Sequence, residues 1–286
     1  MPLKMTDDFA PLAANYDAIL SDVWGVLRNG IAAFPEPADA LTRFRAKGGA
    51  VVLISNAPRP GNQVVKLLDN LGVPRTAYDA IVTSGDVTRS KVEERLGQPF
   101  FLIGPERDHT IFTGLDAPFS TPEDAKYVIC TGLFDDEVET PEDYRDLLAK
   151  LRARNLFMVC ANPDIVVERG DKLIYCAGAL ADAYAELGGD VYYAGKPHRP
   201  LYDLALAEVA KARGAPASLN RVLAIGDSVR TDLKGANDLG VDCLFVTAGI
   251  HAEELGHRDN PDLHALAAIF NTAGHAPKAV TRRLKW

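Results

Sequence analysis

The chain has 286 residues, 47% of them hydrophobic and 24% charged, which is the profile of a soluble globular protein with length for one large domain or two modest ones. Acidic side chains outnumber basic ones by 39 to 31, for a net charge of −8, and this argues against general nucleic-acid binding. No run reaches the roughly 18 apolar residues of a membrane span. Residues 1–10 lack the long apolar core of a secretory signal, so a cytoplasmic protein with no membrane partner is expected.

The four cysteines, Cys130, Cys160, Cys176 and Cys243, are scattered and read as reduced core residues rather than a metal clip. The only basic cluster, residues 278–286 with Arg282, Arg283 and Lys285, reads as a solvated or subunit-contacting tail, and a homodimer is compatible with it.

Along the chain, short β-rich runs alternate with amphipathic stretches. Residues 16–21 read as a strand. Residues 37–47 read as a helix with Leu41 and Phe44 on one face, stopped by Gly48 and Gly49. A strand at 50–54 precedes a helix at 61–71, whose Val64, Val65, Leu68 and Leu71 point inward. There follow a strand at 127–130, a helix at 141–154, a strand at 156–159 and a helix at 179–187. The pattern then repeats as strand 191–194, helix 200–213, strand 221–225, helix 231–239 and strand 243–246. Unbroken apolar strands alternating with helices predict a doubly wound parallel α/β sheet covered on both faces. Such sheets carry their ligands at the carboxyl ends of their strands.

Four strand ends stand out. The first is followed by Ser21-Asp22-Val23-Trp24-Gly25-Val26, where a carboxylate beside a glycine turn offers a nucleophile or a metal ligand. An Asp at such a place also serves as a turn or helix cap. The second ends in Ser55-Asn56, whose hydroxyl and amide could hold a phosphate oxygen or simply close a turn. The third leads into Gly195-Lys196-Pro197, a point cation for phosphate or a surface lysine. The fourth opens Gly226-Asp227 through Asp232, two carboxylates that can bind a hard cation through oxygen; a helix start also favours acids, but needs only one. Together they supply a nucleophile, a hydrogen-bond donor for a phosphate oxygen, a cation and metal ligands. These are the parts of phosphoryl transfer, whose catalysis is mainly positioning and charge neutralisation.

In this order the residues resemble the four signature motifs of the haloacid dehalogenase-like (HAD) hydrolases. The segment between the second and third motifs, with Ala161-Asn162-Pro163-Asp164 and Ala177-Gly178-Ala179-Leu180, is similar to the α/β cap of the class IIA, NagD-like branch. The closing Val246-Thr247-Ala248-Gly249-Ile250 is similar too. The resemblance implies a HAD-like Rossmannoid core at 1–91 plus 191–286, with an inserted α/β cap domain at 92–190. It implies that Asp22 attacks phosphorus and becomes an aspartyl phosphate. It places Mg²⁺ on the carboxylates of Asp22 and Asp227 and the backbone carbonyl of Trp24. Ser55 and Lys196 would bind the phosphoryl group, and Asp232 would order the metal shell or position Lys196. Asn56 and the cap residues Asn162 and Asp164 would meet the substrate, a small phosphorylated metabolite.

Trp24 departs from the family pattern, which places a second Asp two residues after the nucleophile as general acid and base. Indole is a donor only. Losing general acid–base help costs about 10²–10⁴ in rate. Dehalogenation is disfavoured because Asp227 and Asp232 retain a cation site that it does not need. No cap lysine is assigned to a phosphonatase-type Schiff base, and His198, close to Lys196, is the candidate substitute acid or else a surface histidine. Two functions are therefore expected to compete: a Mg²⁺-dependent phosphatase, and a catalytically weak phosphate-binding sensor or partner protein.

Overall fold

A computed structural model of the chain describes residues 5–29, 32–169, 172–249 and 261–286. Its strands in chain order are β1 (Ala18–Asp22), β2 (Ala50–Ser55), β3 (Ala80–Thr83), β4 (Phe100–Ile103), β5 (Tyr127–Cys130) and β6 (Phe157–Cys160), then β7 (Val166–Arg169), β8 (Lys172–Tyr175), β9 (Val191–Tyr193), β10 (Val222–Gly226), β11 (Asp242–Val246) and β12 (Ala279–Thr281). The chain divides into two compact units. The first is Met1–Ser55, Val65–Val82 and Tyr202–Trp286; the second is Asn56–Val64 and Thr83–Leu201.

The first unit is built on a six-stranded sheet in the order β12-β11-β10-β1-β2-β3. β1 pairs in parallel with β2 and β10, and β10-β11 and β11-β12 are parallel as well. β1, β2 and β10 are buried along their whole length, which is why they read as unbroken apolar runs. From β1 the chain builds outward to β2 and β3, then returns to lay β10, β11 and β12 on the other side. The reversal between β1 and β10 is a topological switch point, where ligands of such sheets bind. The helix Pro35–Ala46 buries Leu41 and Phe44 as its spacing requires, with prolines and Glu36 in its first turn and Arg43 and Arg45 in its last.

The C-terminal tail packs through its apolar residues while Arg282, Arg283 and Lys285 stay exposed. Val280 and Leu284 are fully buried, the Phe9 N–H donates to the Lys285 carbonyl at 2.8 Å, and the Trp286 ring meets Phe9 edge-on at 6.0 Å. The alternating apolar residues of the tail outweigh its charges, because Lys and Arg can bury their stems and keep their heads wet.

The second unit has a four-stranded sheet, β4-β5-β6-β9, with each neighbouring pair parallel, and a separate antiparallel hairpin of β7 and β8. Its core gathers Val128, Met158, Leu148, Leu151, Leu180 and Tyr184. The Tyr184 hydroxyl is satisfied by the Leu156 carbonyl at 2.6 Å.

Several elements depart from the sequence reading. The stretch expected as one helix at 141–154 begins as a 3₁₀ turn, Pro141–Tyr144, and becomes α-helical only over Arg145–Ala153. Thr140 and Asp143 form a capping box around Pro141 that fixes the tighter first turn. The stretch at 231–239 is a π-helical turn, Val229–Leu233, followed by a short helix, Lys234–Leu239. β3, β4, β12, the β7–β8 hairpin and the helices Ser84–Glu93 and Leu263–Ala273 were not expected. The strands among them run three or four residues, too few for a period of two to register against background. All four cysteines are buried. No helix among the described residues is long and apolar enough to cross a membrane.

Candidate active site

Within the first unit, the carboxyl ends of β1 and β10 bring three acids together. Asp22 is the last residue of β1, Asp227 follows the last residue of β10, and Asp232 lies in the π-helical turn just beyond. One carboxylate oxygen from each falls within 4.8 Å of the others. The three residues are only 7%, 4% and 2% exposed. Three buried carboxylates so close repel one another and are poorly hydrated, which a divalent cation with oxygen ligands relieves. The set therefore fits a hard cation such as Mg²⁺ by charge, ligand type and spacing.

The backbone holds the acids in place. The Val23 N–H donates to Asp22 Oδ1 at 2.7 Å, and the Ser228 N–H donates to Asp232 Oδ2 at 3.2 Å. The Asp232 and Leu233 N–H groups both turn back to the Ser228 carbonyl at 3.0 Å, the widened turn that aims Asp232 inward. Glycines let the chain close around the carboxylates. A Cβ on Gly25, which sits at φ +79°, would stand 2.0 Å from Asp227 Oδ2, and one on Gly249 would stand 1.9 Å from the same atom. A Cβ on Gly226 would lie 2.1 Å from Asp232 Cγ. The clearance roles of Gly226 and Gly249 were not recognised in the sequence; Gly226 signals itself as a glycine at a strand end beside an acid, whereas Gly249 has no acid beside it in the sequence. Ile250, which closes the same stretch, lies outside the described residues.

Ser55 ends β2, one residue beyond Ile54, the register partner of Asp22, and its side chain is buried. Trp24 is half-buried, and the Arg28 guanidinium lies over its ring at 4.6 Å. The loop between them is closed by bonds from the Leu27 and Arg28 N–H groups to the Val23 carbonyl at 3.0 and 3.2 Å, and from the Gly25 N–H to the Arg28 carbonyl at 2.8 Å. Arg28 was missed because a cation over an indole four residues away has no sequence signature beyond the pair itself.

Within the second unit, Lys196 is 2% exposed, which removes the surface-lysine reading. It gathers with Asn56, Asn162 and Asp164. The Lys196 N–H donates to Asn56 Oδ1 at 2.7 Å, and Asn56 Nδ2 donates to Asp164 Oδ1 at 2.9 Å. The Asp164 N–H donates to Asn162 Oδ1 at 3.1 Å. A Cβ on Gly178 would come within 2.3 Å of the Pro163 carbonyl oxygen, so this helix start packs directly on the 162–164 turn. His198 is half-buried, its ring stacked on Tyr193 at 4.5 Å and 9°, while the Tyr193 hydroxyl donates to Asp182 at 2.7 Å.

Three acids clustered at the switch point of a parallel α/β sheet could hold a cation, and comparison with known proteins gives the family. Residues 19–117 match the haloacid dehalogenase-like hydrolase family model, and residues 193–272 match a HAD-hydrolase-like model. The chain is 48% identical to a haloacid dehalogenase-like hydrolase of Brucella suis 1330, over 98% of this chain and 99% of that one, with a TM-score of 0.86. The chain belongs to the haloacid dehalogenase-like hydrolases. It is 27% identical over 248 residues to the D-glycerol 3-phosphate phosphatase of Mycobacterium tuberculosis, covering 84% of this chain and 65% of that protein's length. A solved glycerol phosphate phosphatase from Mycobacterium tuberculosis, in complex with calcium, shares the fold at a TM-score of 0.64 and 22% identity, over 89% of this chain and 76% of that one.

Proposed function

We propose that the chain is a Mg²⁺-dependent phosphatase acting on a small phosphorylated metabolite through Asp22. The observation that carries this reading is the convergence of Asp22, Asp227 and Asp232 within 4.8 Å at the switch point of a HAD-like sheet. The similarity to a phosphatase of glycerol 3-phosphate supports a phosphate monoester as substrate.

The carboxylates of Asp22 and Asp227 and the Trp24 carbonyl would hold Mg²⁺, with Asp232 ordering the set. When bound, the ion neutralises the charge that otherwise keeps a carboxylate nucleophile from a phosphate anion. Asp22 attacks phosphorus with a carboxylate oxygen, forming an O–P bond as the bond to the leaving oxygen breaks. Water then attacks the same phosphorus as the Asp22 O–P bond breaks, its proton passing to solvent, which releases inorganic phosphate and restores the Asp22 carboxylate. Ser55 and Lys196 bind the transferring oxygens. We also propose the unit with the six-stranded sheet as catalytic core and the other as cap, in place of the expected bounds of 1–91 plus 191–286 and 92–190, because β9 pairs with β6 and the second unit runs to Leu201.

Trp24 sets the chemical limits. Its indole supplies no proton to the leaving oxygen and takes none from water. This favours aryl and acyl phosphates, whose oxygens depart without protonation, and slows hydrolysis of the aspartyl phosphate. The same residue supports the second reading, a phosphate- and Mg²⁺-binding sensor with little turnover. A screen of purified protein against phosphorylated metabolites, including glycerol phosphates, with added Mg²⁺ separates the two. Turnover of a substrate that disappears in Asp22→Asn supports the phosphatase. Phosphate binding without turnover of any member of the panel supports the sensor.

A further inference from the structure

Asn56 is 5% exposed, and three hydrogen bonds engage its carboxamide. Oδ1 accepts from the Lys196 N–H at 2.7 Å, and Nδ2 donates to the Lys196 carbonyl at 3.2 Å and to Asp164 Oδ1 at 2.9 Å. A carboxamide has two donors and one acceptor oxygen, so both donors are used. The amide thus brackets the Lys196 backbone from both sides of one residue and reaches with its remaining proton to the 162–164 turn.

The surroundings are shaped for this contact. A Cβ on Gly195 would lie 2.4 Å from Asn56 Oδ1, 2.7 Å from Pro163 Cδ and 2.8 Å from Ser84 Oγ, so only a bare backbone lets the amide approach. The Asp164 end is fixed from its own side by the Asn162 carboxamide and by the close seat of Gly178 under Pro163. Asn56, Lys196 and Asp164 are 140 and 108 residues apart from one another along the chain, counted from Asn56, so the link ties three distant segments.

We propose that Asn56 is a positioning residue that couples the Asp164 turn to Lys196, setting where the lysine presents its ammonium. The inference rests on the reading of Lys196 as a phosphate ligand. Asp164 would feel the non-phosphate part of a substrate, and Asn56 would carry that contact to the lysine. Occupant and phosphate affinity would then rise together, as in any positive coupling between two sites.

The test is the affinity of the full chain for inorganic phosphate in Mg²⁺, measured by calorimetry alongside Mg²⁺ affinity and thermal melting. Asn56→Ala removes the bonds to the Lys196 backbone and should weaken phosphate binding by about tenfold or more, with Mg²⁺ affinity moved less than about twofold. Asn56→Asp should be worse, because it sets a carboxylate against Asp164 at hydrogen-bond distance. Asn56→Asp combined with Asp164→Asn restores a donor–acceptor pair of reversed polarity and keeps the acceptor for the Lys196 N–H, but not the donor to the Lys196 carbonyl, so it should recover part of the affinity lost in Asn56→Asp. A role in stability alone would lower melting and both affinities together. The inference is overturned if wild type binds phosphate and Asn56→Ala binds it equally well, or if the double variant is no better than Asn56→Asp. A wild-type chain that binds no phosphate in Mg²⁺ and turns over no aryl phosphate would instead remove the reading of the site, and the inference with it.

Discussion

The α-carbon of Gly249 rests against the Asp227 carboxylate so closely that a Cβ there would lie 1.9 Å from Oδ2. Gly25 approaches the same oxygen from another segment, at 2.0 Å for its own missing Cβ. The cation reading thus depends on two residues with no functional group. Gly249→Ala should displace the Asp227 carboxylate and weaken Mg²⁺ binding about 10–100-fold, the range seen when the support of a metal ligand is lost. Calorimetric Mg²⁺ titration of wild type and variant checks this. Equal affinities would mean that Asp227 is not a ligand or that the loop moves aside.

Asp227→Asn replaces an anionic oxygen ligand by a neutral amide of the same shape. It should abolish stimulation by Mg²⁺ while leaving melting unchanged or raised, because one of three mutually repelling buried carboxylates is gone. Melting curves with and without Mg²⁺ read both effects. The wild-type melting temperature should rise with Mg²⁺ and the variant's should not.

Trp24→Asp should restore a proton donor and acceptor and speed the slow hydrolytic step, by as much as about 10²–10⁴. It also removes the ring beneath the Arg28 guanidinium, at a cost of about 0.5–2 kcal/mol in stability. Rapid-mix kinetics on an aryl phosphate should show a burst of phenol release in wild type and a smaller or absent burst in the variant. Fast wild-type hydrolysis of alkyl phosphates without a burst would mean that another residue supplies the proton.

Thr83 caps the helix Ser84–Glu93. Its hydroxyl accepts from the Asp86 N–H at 3.0 Å, and the Asp86 carboxylate accepts from the Thr83 N–H at 2.9 Å and from the Gly61 N–H at 3.0 Å. The same hydroxyl donates to the Arg59 carbonyl at 2.6 Å, so the cap also holds the segment that follows Asn56. Thr83→Ala should cost about 0.5–2 kcal/mol, read as a lower denaturation midpoint at unchanged slope.

Much of the first unit was legible because its central strands are apolar on both faces, and Asp22, Ser55 and Asp227 stand at their ends or one residue past them. That pattern placed the three residues; the roles expected of them came from the resemblance. The contacts that organise Lys196 were not legible. A side-chain amide bonding a backbone 140 residues away leaves no periodicity, and Asn56 after a strand looks like any turn asparagine. The short strands and the Ser84–Glu93 helix escaped for a different reason. The strands take their order from pairing partners that the local sequence does not contain, and the helix carries its own capping box, Thr83 and Asp86, which was passed over because few apolar residues follow it. The basic side chains of the tail are exposed as expected, but the burial of Val280 and Leu284 was not foreseen because charge dominates the composition there.

Whether Asp22 is a metal-dependent nucleophile is decided by turnover of an aryl phosphate by wild type and Asp22→Asn, each in Mg²⁺ and in excess chelator. Wild type should release inorganic phosphate in Mg²⁺ alone, and Asp22→Asn should release none under either condition. Undiminished turnover in chelator, or by Asp22→Asn in Mg²⁺, would contradict that role.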